Sequence, residues 1–252
     1  MIHRSRPHFA LLLLLLAVAA CGKGSAAKTA PSPDASLERA RDEFRRGRFR
    51  QALVAFQKIS FEYPPGHPNL AEARYFAAES ELQVGNLEEA ATDFRRVADD
   101  HANTPYGPLA LLRAGDARLR QWHNPEFDPT PGETALALYQ ELAGRFPGTD
   151  AAARAVLHVR RLREWFAEKA YKTGVFYQRR RAYDSAILYL KDVVATYPES
   201  RLTPLALLRL VDVYRILRYK DEVQETCAHL YRYFPQAPGL AKTCPGGPTG
   251  AP

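Results

Sequence analysis

Between Ala170 and Pro198 the chain reads AYKTGVFYQRRRAYDSAILYLKDVVATYP. Gly174, Tyr177, Ala186, Leu190 and Pro198 follow one another at offsets of three, nine, four and eight. That spacing belongs to a helix–turn–helix unit repeated about every 34 residues. Each position has a physical cause. Gly174 and Ala186 are small, so helix A and helix B of the hairpin can approach closely. Tyr177 and Leu190 fill the space between them. Pro198 stops helix B, because proline lacks the donor that the next turn needs. One hairpin cannot bury its apolar face alone, so the pattern predicts a stack.

Carried along the chain, the spacing predicts an all-α fold, a tetratricopeptide-repeat superhelix of five helical hairpins. In repeat one Ala40, Ala52, Phe56 and Pro64 take the pattern positions, with a turn at Gly47 between helices at about 35–46 and 49–63. Repeat two has Ala78, Ala90 and Phe94 and a turn at Gly85-Asn86, with helices at about 69–84 and 87–100. Repeat three opens on PLALLR at 108–113, a hexapeptide that recurs at 204–209 and opens repeat five. Gly115, Ala135, Tyr139, Leu142 and Pro147 complete repeat three. Gly115 to Ala135 spans 20 residues where Gly174 to Ala186 spans 12, so eight are inserted within Arg120 to Glu133. Pro125, Pro129 and Pro131 argue against regular helix there. Thr149 to Glu168 has no turn signal, and Leu157, Leu162, Trp165 and Phe166 stand at helical spacing. One long helix from about 150 to 180 should merge into helix A of repeat four. Repeat five has Val211, Tyr214, Val223, Cys227 and Pro235, in helices at about 202–217 and 220–233. The Pro/Gly-rich residues that follow are expected to be disordered. The stack should bury one continuous core.

The N-terminus reads as an address. Arg4 and Arg6 precede twelve apolar or small residues, Phe9 to Ala20. That run is too short to span a bilayer, which needs about 20, and it fits an export signal. It ends in Val18-Ala19-Ala20-Cys21, which resembles a bacterial lipobox. The resemblance implies cleavage before Cys21 and acylation of its sulfur and of the new terminus. Several chains on one residue anchor durably where one does not. Gly22 follows where aspartate would retain a lipoprotein at the inner membrane, which implies the outer membrane. Residues 22–35, GKGSAAKTAPSPDA, read as a flexible tether. The expected organisation is a signal peptide at 1–20, lipidated Cys21 and tether at 21–35, an N-terminal module at 36–147, a C-terminal module at 148–236 and a tail at 237–252.

The formal charge is +7 over 252 residues. Outside the first twenty residues 33 bases face 28 acids, spread along the chain. No basic block with interleaved aromatics points to nucleic acid. No phosphate-binding glycine loop, nucleophile–base pair or metal-ligand cluster points to an enzyme or a cofactor. Of the three cysteines, Cys227 takes the large apolar slot of its repeat and is expected as a buried thiol. Pairing with Cys244 is the alternative in an oxidising compartment.

Helix A lines the concave face of such arrays. The inward positions are Arg41, Phe44 and Arg45 in repeat one, Tyr75, Glu79 and Leu82 in repeat two, and Leu112, Asp116 and Arg120 in repeat three. An aromatic and charged groove suits an extended or hairpin peptide with a terminal aromatic and a carboxylate. Arg41, Arg45 and Arg120 are the cations for that carboxylate. Phe44, Leu82 and Leu112 are equally readable as packing residues. The matching face of repeats four and five offers Tyr171, Gln178, Arg179, Asp212 and Arg215, with Tyr189 on helix B. Trp122 and His123, in the insertion, either pin their loop to the array or dock a partner.

A lipobox followed by five such repeats resembles the BamD (ComL/YfiO) family of outer-membrane lipoproteins. The likeness covers about 36–236. It rests on the repeat count, the insertion before Thr130-Pro131, the long fourth helix A and the helix ends Tyr63-Pro64, Phe146-Pro147 and Tyr197-Pro198. The resemblance implies a scaffold in β-barrel assembly. Repeats one to three would take unfolded outer-membrane proteins, and repeats four and five would dock a BamA-like barrel-forming subunit. Accessory lipoproteins and a membrane reached through the lipid complete the implied partners. An adaptor for peptidoglycan synthesis or envelope constriction is the competing reading. Such adaptors usually carry a coiled-coil segment before fewer repeats, and no heptad pattern precedes Leu37.

Overall fold

The computed structural model describes residues 32–122 and 128–247. Ten helices form five hairpins: α1 (Pro33–Arg45) with α2 (Phe49–Glu62), α3 (Leu70–Val84) with α4 (Leu87–Asp100), α5 (Tyr106–Gln121) with α6 (Thr130–Arg145), α7 (Asp150–Arg179) with α8 (Tyr183–Thr196), and α9 (Thr203–Leu217) with α10 (Lys220–Tyr233). A short α11 (Leu240–Thr243) follows. The fold is the all-α tetratricopeptide-repeat superhelix expected. Helices A of neighbouring repeats touch: α3 meets α5, α5 meets α7, and α7 meets α9. None of the described helices is long and apolar enough to cross a membrane.

Four hairpins turn in the same way. After α1, α3, α7 and α9 the chain bonds back by five residues, from Arg48, Asn86, Ala182 and Tyr219 to the carbonyls of Glu43, Glu81, Tyr177 and Tyr214. This is a Schellman closure, which needs one residue with positive φ. Gly47 and Gly85 supply it in the first two repeats, at +73° and +93°. Arg181 and Arg218 supply it in the last two, at +60° and +62°, where an L side chain is disfavoured.

The small slots do what the spacing requires. Ala52, Ala90, Ala135 and Ala186 have no exposed surface. A Cβ on Gly115 would lie 2.6 Å from the Tyr139 ring, and one on Gly174 would lie 2.8 Å from Leu190 Cγ. A glycine inside a helix costs about 1 kcal/mol against alanine. Burying the large side chain that fills its place returns roughly 1.5–3 kcal/mol.

The buried residues fall into three clusters, where one continuous core was expected. The first joins repeat one to the start of α3. The second joins repeats two and three to the first half of α7, through Ala151, Ala155, Leu162 and Phe166. The third begins at Ala170 and holds repeats four and five. Half-buried aromatics bridge them: Tyr75 packs on the second cluster and touches Phe76, which packs on the first. Packing therefore changes inside α7, between Phe166 and Ala170.

Other expectations need correction. α1 already begins at Pro33, because Ser32 Oγ caps it by accepting from the Ala35 N–H at 3.2 Å. Pro131 does not hold off helix, because it sits in the first turn of α6, where its missing N–H costs nothing. Trp122 pins the end of α5: its indole is buried, stacks on Phe166 at 5.1 Å and covers Gly132. His123, Pro125 and Cys21 lie outside the described residues. The tail is ordered as far as residue 247. Leu240 is buried, and the Tyr231 hydroxyl donates to the Cys244 carbonyl at 2.6 Å. Cys227 is not a free thiol. It forms a disulfide with Cys244, their Cα atoms 5.8 Å apart. Closing a loop of 17 residues stabilises by about 3 kcal/mol through the unfolded chain.

One acid is buried without a cation of its own. The Glu81 residue is 5% exposed between α2 and α4, with the Gln57 amide donating to Oε1 at 3.3 Å and Oε2 unpaired. Burial first, then Asp93 and Glu89, raise its pKa to about 7, against the weaker pull of Arg96 and Gln57.

Two outcomes follow. Gly115→Val should destabilise the array by about 1–3 kcal/mol through overpacking. Gly144→Ala, in α6 with open space at its Cβ, should stabilise by about 0.5–1 kcal/mol. Thermal melts of the two variants check both signs. The folded state also keeps a Glu81 proton that the unfolded chain releases near pH 4.5. Stability should therefore fall as pH rises from about 4.5 to about 7. Glu81→Gln should remove that fall and be more stable than wild type at pH 8 by about 2 kcal/mol, measured by urea unfolding at pH 5 and pH 8.

Candidate functional site

The residues expected on the inner face of repeats one to three lie on α1, α3 and α5. Arg41 on α1 is tied to α3: its Nε donates to Glu72 Oε1 at 2.6 Å and its Nη2 to Glu72 Oε2 at 2.7 Å. Nη1 reaches Glu38. Glu72 holds the Arg41 guanidinium well above its ordinary range in spite of partial burial. Phe44 packs edge-on against Phe49 and Phe76, with ring centroids 5.3 and 5.2 Å away. Arg45 is different. Its side chain is 65% exposed, and its acidic neighbour Asp42 lies 3.7 Å away.

Tyr75, Glu79 and Asp116 come together in one network, centred on a residue the sequence did not single out. Arg113 donates through Nε to Glu79 Oε2 at 2.8 Å and through Nη1 to Asp116 Oδ2 at 3.0 Å. Its Nη2 also bonds Glu79. The Tyr139 hydroxyl donates to Asp116 Oδ1 at 2.8 Å. Burial works against the Arg113 charge, but Glu79 and Asp116 outweigh it and hold the guanidinium above its ordinary range. Burial, then Glu79, pushes the Tyr75 hydroxyl up to about 12. Burial and Asp116 move the Tyr139 hydroxyl in the same direction. Both phenols therefore stay neutral. Arg120 lies at the far end, exposed, with Nη1 donating to the Leu82 carbonyl at 3.3 Å. Leu82 and Leu112 are buried, so they are packing residues.

Of the three cations assigned to a ligand carboxylate, Arg41 already holds one. Arg45 and Arg120 keep donors facing solvent. Glu79 and Asp116 are neutralised from within and serve as the wall. Arg113 had one signal in the sequence, since it ends the duplicated hexapeptide. Its partner Glu79 lies 34 residues away, one repeat period.

In the C-terminal half, Tyr171 is half-buried against the third cluster. Tyr189 stacks on Tyr177 at 5.5 Å with planes 9° apart. Arg179 and Arg215 are exposed near the C-terminal ends of α7 and α9, and Asp212 is half-buried one turn before Arg215. The sequence reading missed the exposed apolar residues beside them. Phe176 and Ile216 are each about half exposed, and Arg180 stacks over the Phe176 ring at 4.8 Å.

Comparison with known proteins bears on what such a face serves. Residues 30–230 match the model of the family YfiO, described as outer membrane lipoprotein. The chain is 25% identical over 244 residues to the outer membrane protein assembly factor BamD of Neisseria gonorrhoeae, covering 89% of this chain and 90% of that protein. It is 24% identical over 195 residues to the factor of the same name in Caulobacter vibrioides, covering 77% of this chain and 63% of that protein. Among solved structures, a thermophilic TPR protein of Thermus thermophilus aligns with a TM-score of 0.38 at 20% identity, covering 84% of this chain and 96% of that one. The match runs from before α1 into α10, and the chain belongs to the YfiO family, described as outer membrane lipoprotein.

Proposed function

We propose that this protein is a lipid-anchored scaffold of the machinery that inserts β-barrel proteins into the outer membrane, working on its periplasmic face. One observation carries the reading: the family match runs through the whole repeat array, and the relatives over that span are named as outer membrane assembly factors. The Val18-Ala19-Ala20-Cys21 sequence supports acylation at Cys21 as the anchor.

The scaffold has two working faces. The groove of α1, α3 and α5 takes the C-terminal segment of an unfolded barrel protein. Phe44 and Tyr75 supply aromatic surface, while Arg45 or Arg120 takes the terminal carboxylate. Arg41, Glu79 and Asp116 hold the wall in shape. The second face, with Tyr171, Arg179, Tyr189, Asp212 and Arg215, docks the periplasmic domain of the barrel-forming subunit. Phe176 and Ile216 add apolar surface there, which supports a protein partner.

Purification from native membranes in mild detergent should bring down a large β-barrel protein with periplasmic domains. Its absence would sink the assembly reading. For the groove, Arg45→Glu combined with Arg120→Glu should weaken binding of a peptide ending in an aromatic residue and a free carboxylate by about tenfold, as loss of a charge-assisted bond predicts. Fluorescence anisotropy measures this, and an unchanged affinity removes both arginines from the site.

A further inference from the structure

The first half of α7 carries a feature that neither working face uses. A groove of about 700 Å³ lies between α7 and the turn from α8 to α9. Its walls are tied across the gap. Arg163 bonds Glu199 and, through Nη2, the Thr196 carbonyl at 2.6 Å. Arg201 Nε bonds Glu164 Oε1 at 2.9 Å. These bonds use the acids of the groove: Glu199 and Glu164 directly, while Glu168 pairs with Lys172 at 2.9 Å. Arg160 and Arg161 also line the groove and are exposed, and neither makes an ion pair among the described residues. Beside them Leu157 is 63% exposed and Trp165 is 40% exposed. Leu157, Arg161 and Trp165 stand four residues apart, so apolar and cationic side chains alternate along one stripe.

We propose that this groove docks an acidic segment of a partner protein, one that also carries an apolar side chain. Two unneutralised guanidinium groups call for carboxylates, and the apolar surface of Leu157 and Trp165 on either side of Arg161 calls for a side chain that leaves water. The shape selects a chain segment over a bilayer: the apolar residues line a concavity, whereas a membrane surface needs a convex or flat ridge. The site is separate from the α1, α3 and α5 groove and from the end of the array, so it stands or falls independently of the assembly reading.

The test uses the full-length protein in detergent and a fluorescein-labelled peptide that alternates Glu and Leu. One control peptide carries Gln for Glu, another Ser for Leu. The parent peptide should bind, with an affinity that falls as salt is raised, and each control should bind about tenfold more weakly. Arg160→Glu with Arg161→Glu should lower the affinity about tenfold, and Leu157→Asp should do the same. The doubly reversed variant should in turn bind a peptide alternating Lys and Leu, a gain that a misfolded protein would not show. Equal affinity of wild type and variants for the parent peptide, or failure of the wild type to bind it, overturns the proposal. So does binding to phosphatidylglycerol vesicles that is lost in the reversed variant and not competed by the peptide, because that assigns the groove to a membrane.

Discussion

The array depends on how closely helix A and helix B of each hairpin can pass. At Gly115 and Gly174 the distance is set by the absence of a Cβ, and Tyr139 and Leu190 fill the space it would occupy. At Ala52, Ala90, Ala135 and Ala186 it is set by a methyl group with no exposed surface. Everything larger follows from these contacts. They fix the crossing of each pair, and the pair fixes where helix A stands relative to its neighbour. A side chain one methylene too large at a crossing would therefore act on the groove without touching any ligand.

Charge placement follows the same geometry, as the duplicated hexapeptide shows. PLALLR opens both α5 and α9, and each copy has an aspartate three residues after its arginine. Yet Arg113 is locked into a part-buried network, while Arg209 is exposed. The preceding repeat makes the difference. Repeat two offers Glu79 one residue after its small slot, whereas repeat four offers Val175 after Gly174. Without a second carboxylate from the preceding repeat, Arg209 stays in water. An arginine between two carboxylates can be partly buried, since removing either partner would strand a charge at several kcal/mol. The N-terminal groove thus has a rigid polar wall, and the C-terminal face has loose cations.

The fold was legible in the sequence because the repeat pattern is steric and local. The slots at Ala40, Ala52, Gly115, Gly174 and Ala186 need only a count of residues, and the helices fall within a few residues of their expected limits. What stayed hidden depends on partners far along the chain. Glu81 looks like any helix glutamate until Gln57, Glu89 and Asp93 close around it. Arg41 looks like a free cation until Glu72, 31 residues on, accepts from its Nε and Nη2. Turns at Arg181 and Arg218 give no glycine signal, yet the backbone bonds of the Schellman closure hold both residues at positive φ. The tail was read as disordered from its Pro/Gly content. Composition does not register that Leu240 and Cys244 return to α9 and α10, where apolar burial and a covalent bond outweigh the entropy of ordering.

The position of α7 decides how the two halves of the scaffold relate. Its first half packs with repeats two and three, and its second half forms helix A of repeat four. A flexible linker between two modules would let each bind without regard to the other. Here the connection is a continuous hydrogen-bonded helix of 30 residues, braced on one side by Trp122 stacked on Phe166 and on the other by Arg163 and Arg201 bonded across the groove. Bending it would break backbone bonds and an aromatic stack together. The brace made of ion pairs is the weaker of the two, because exposed pairs contribute at most about 1 kcal/mol each. A segment entering beside Arg160 and Arg161 would meet that weaker brace first, so occupancy of the α7 groove would bear directly on how stiffly the two faces are joined.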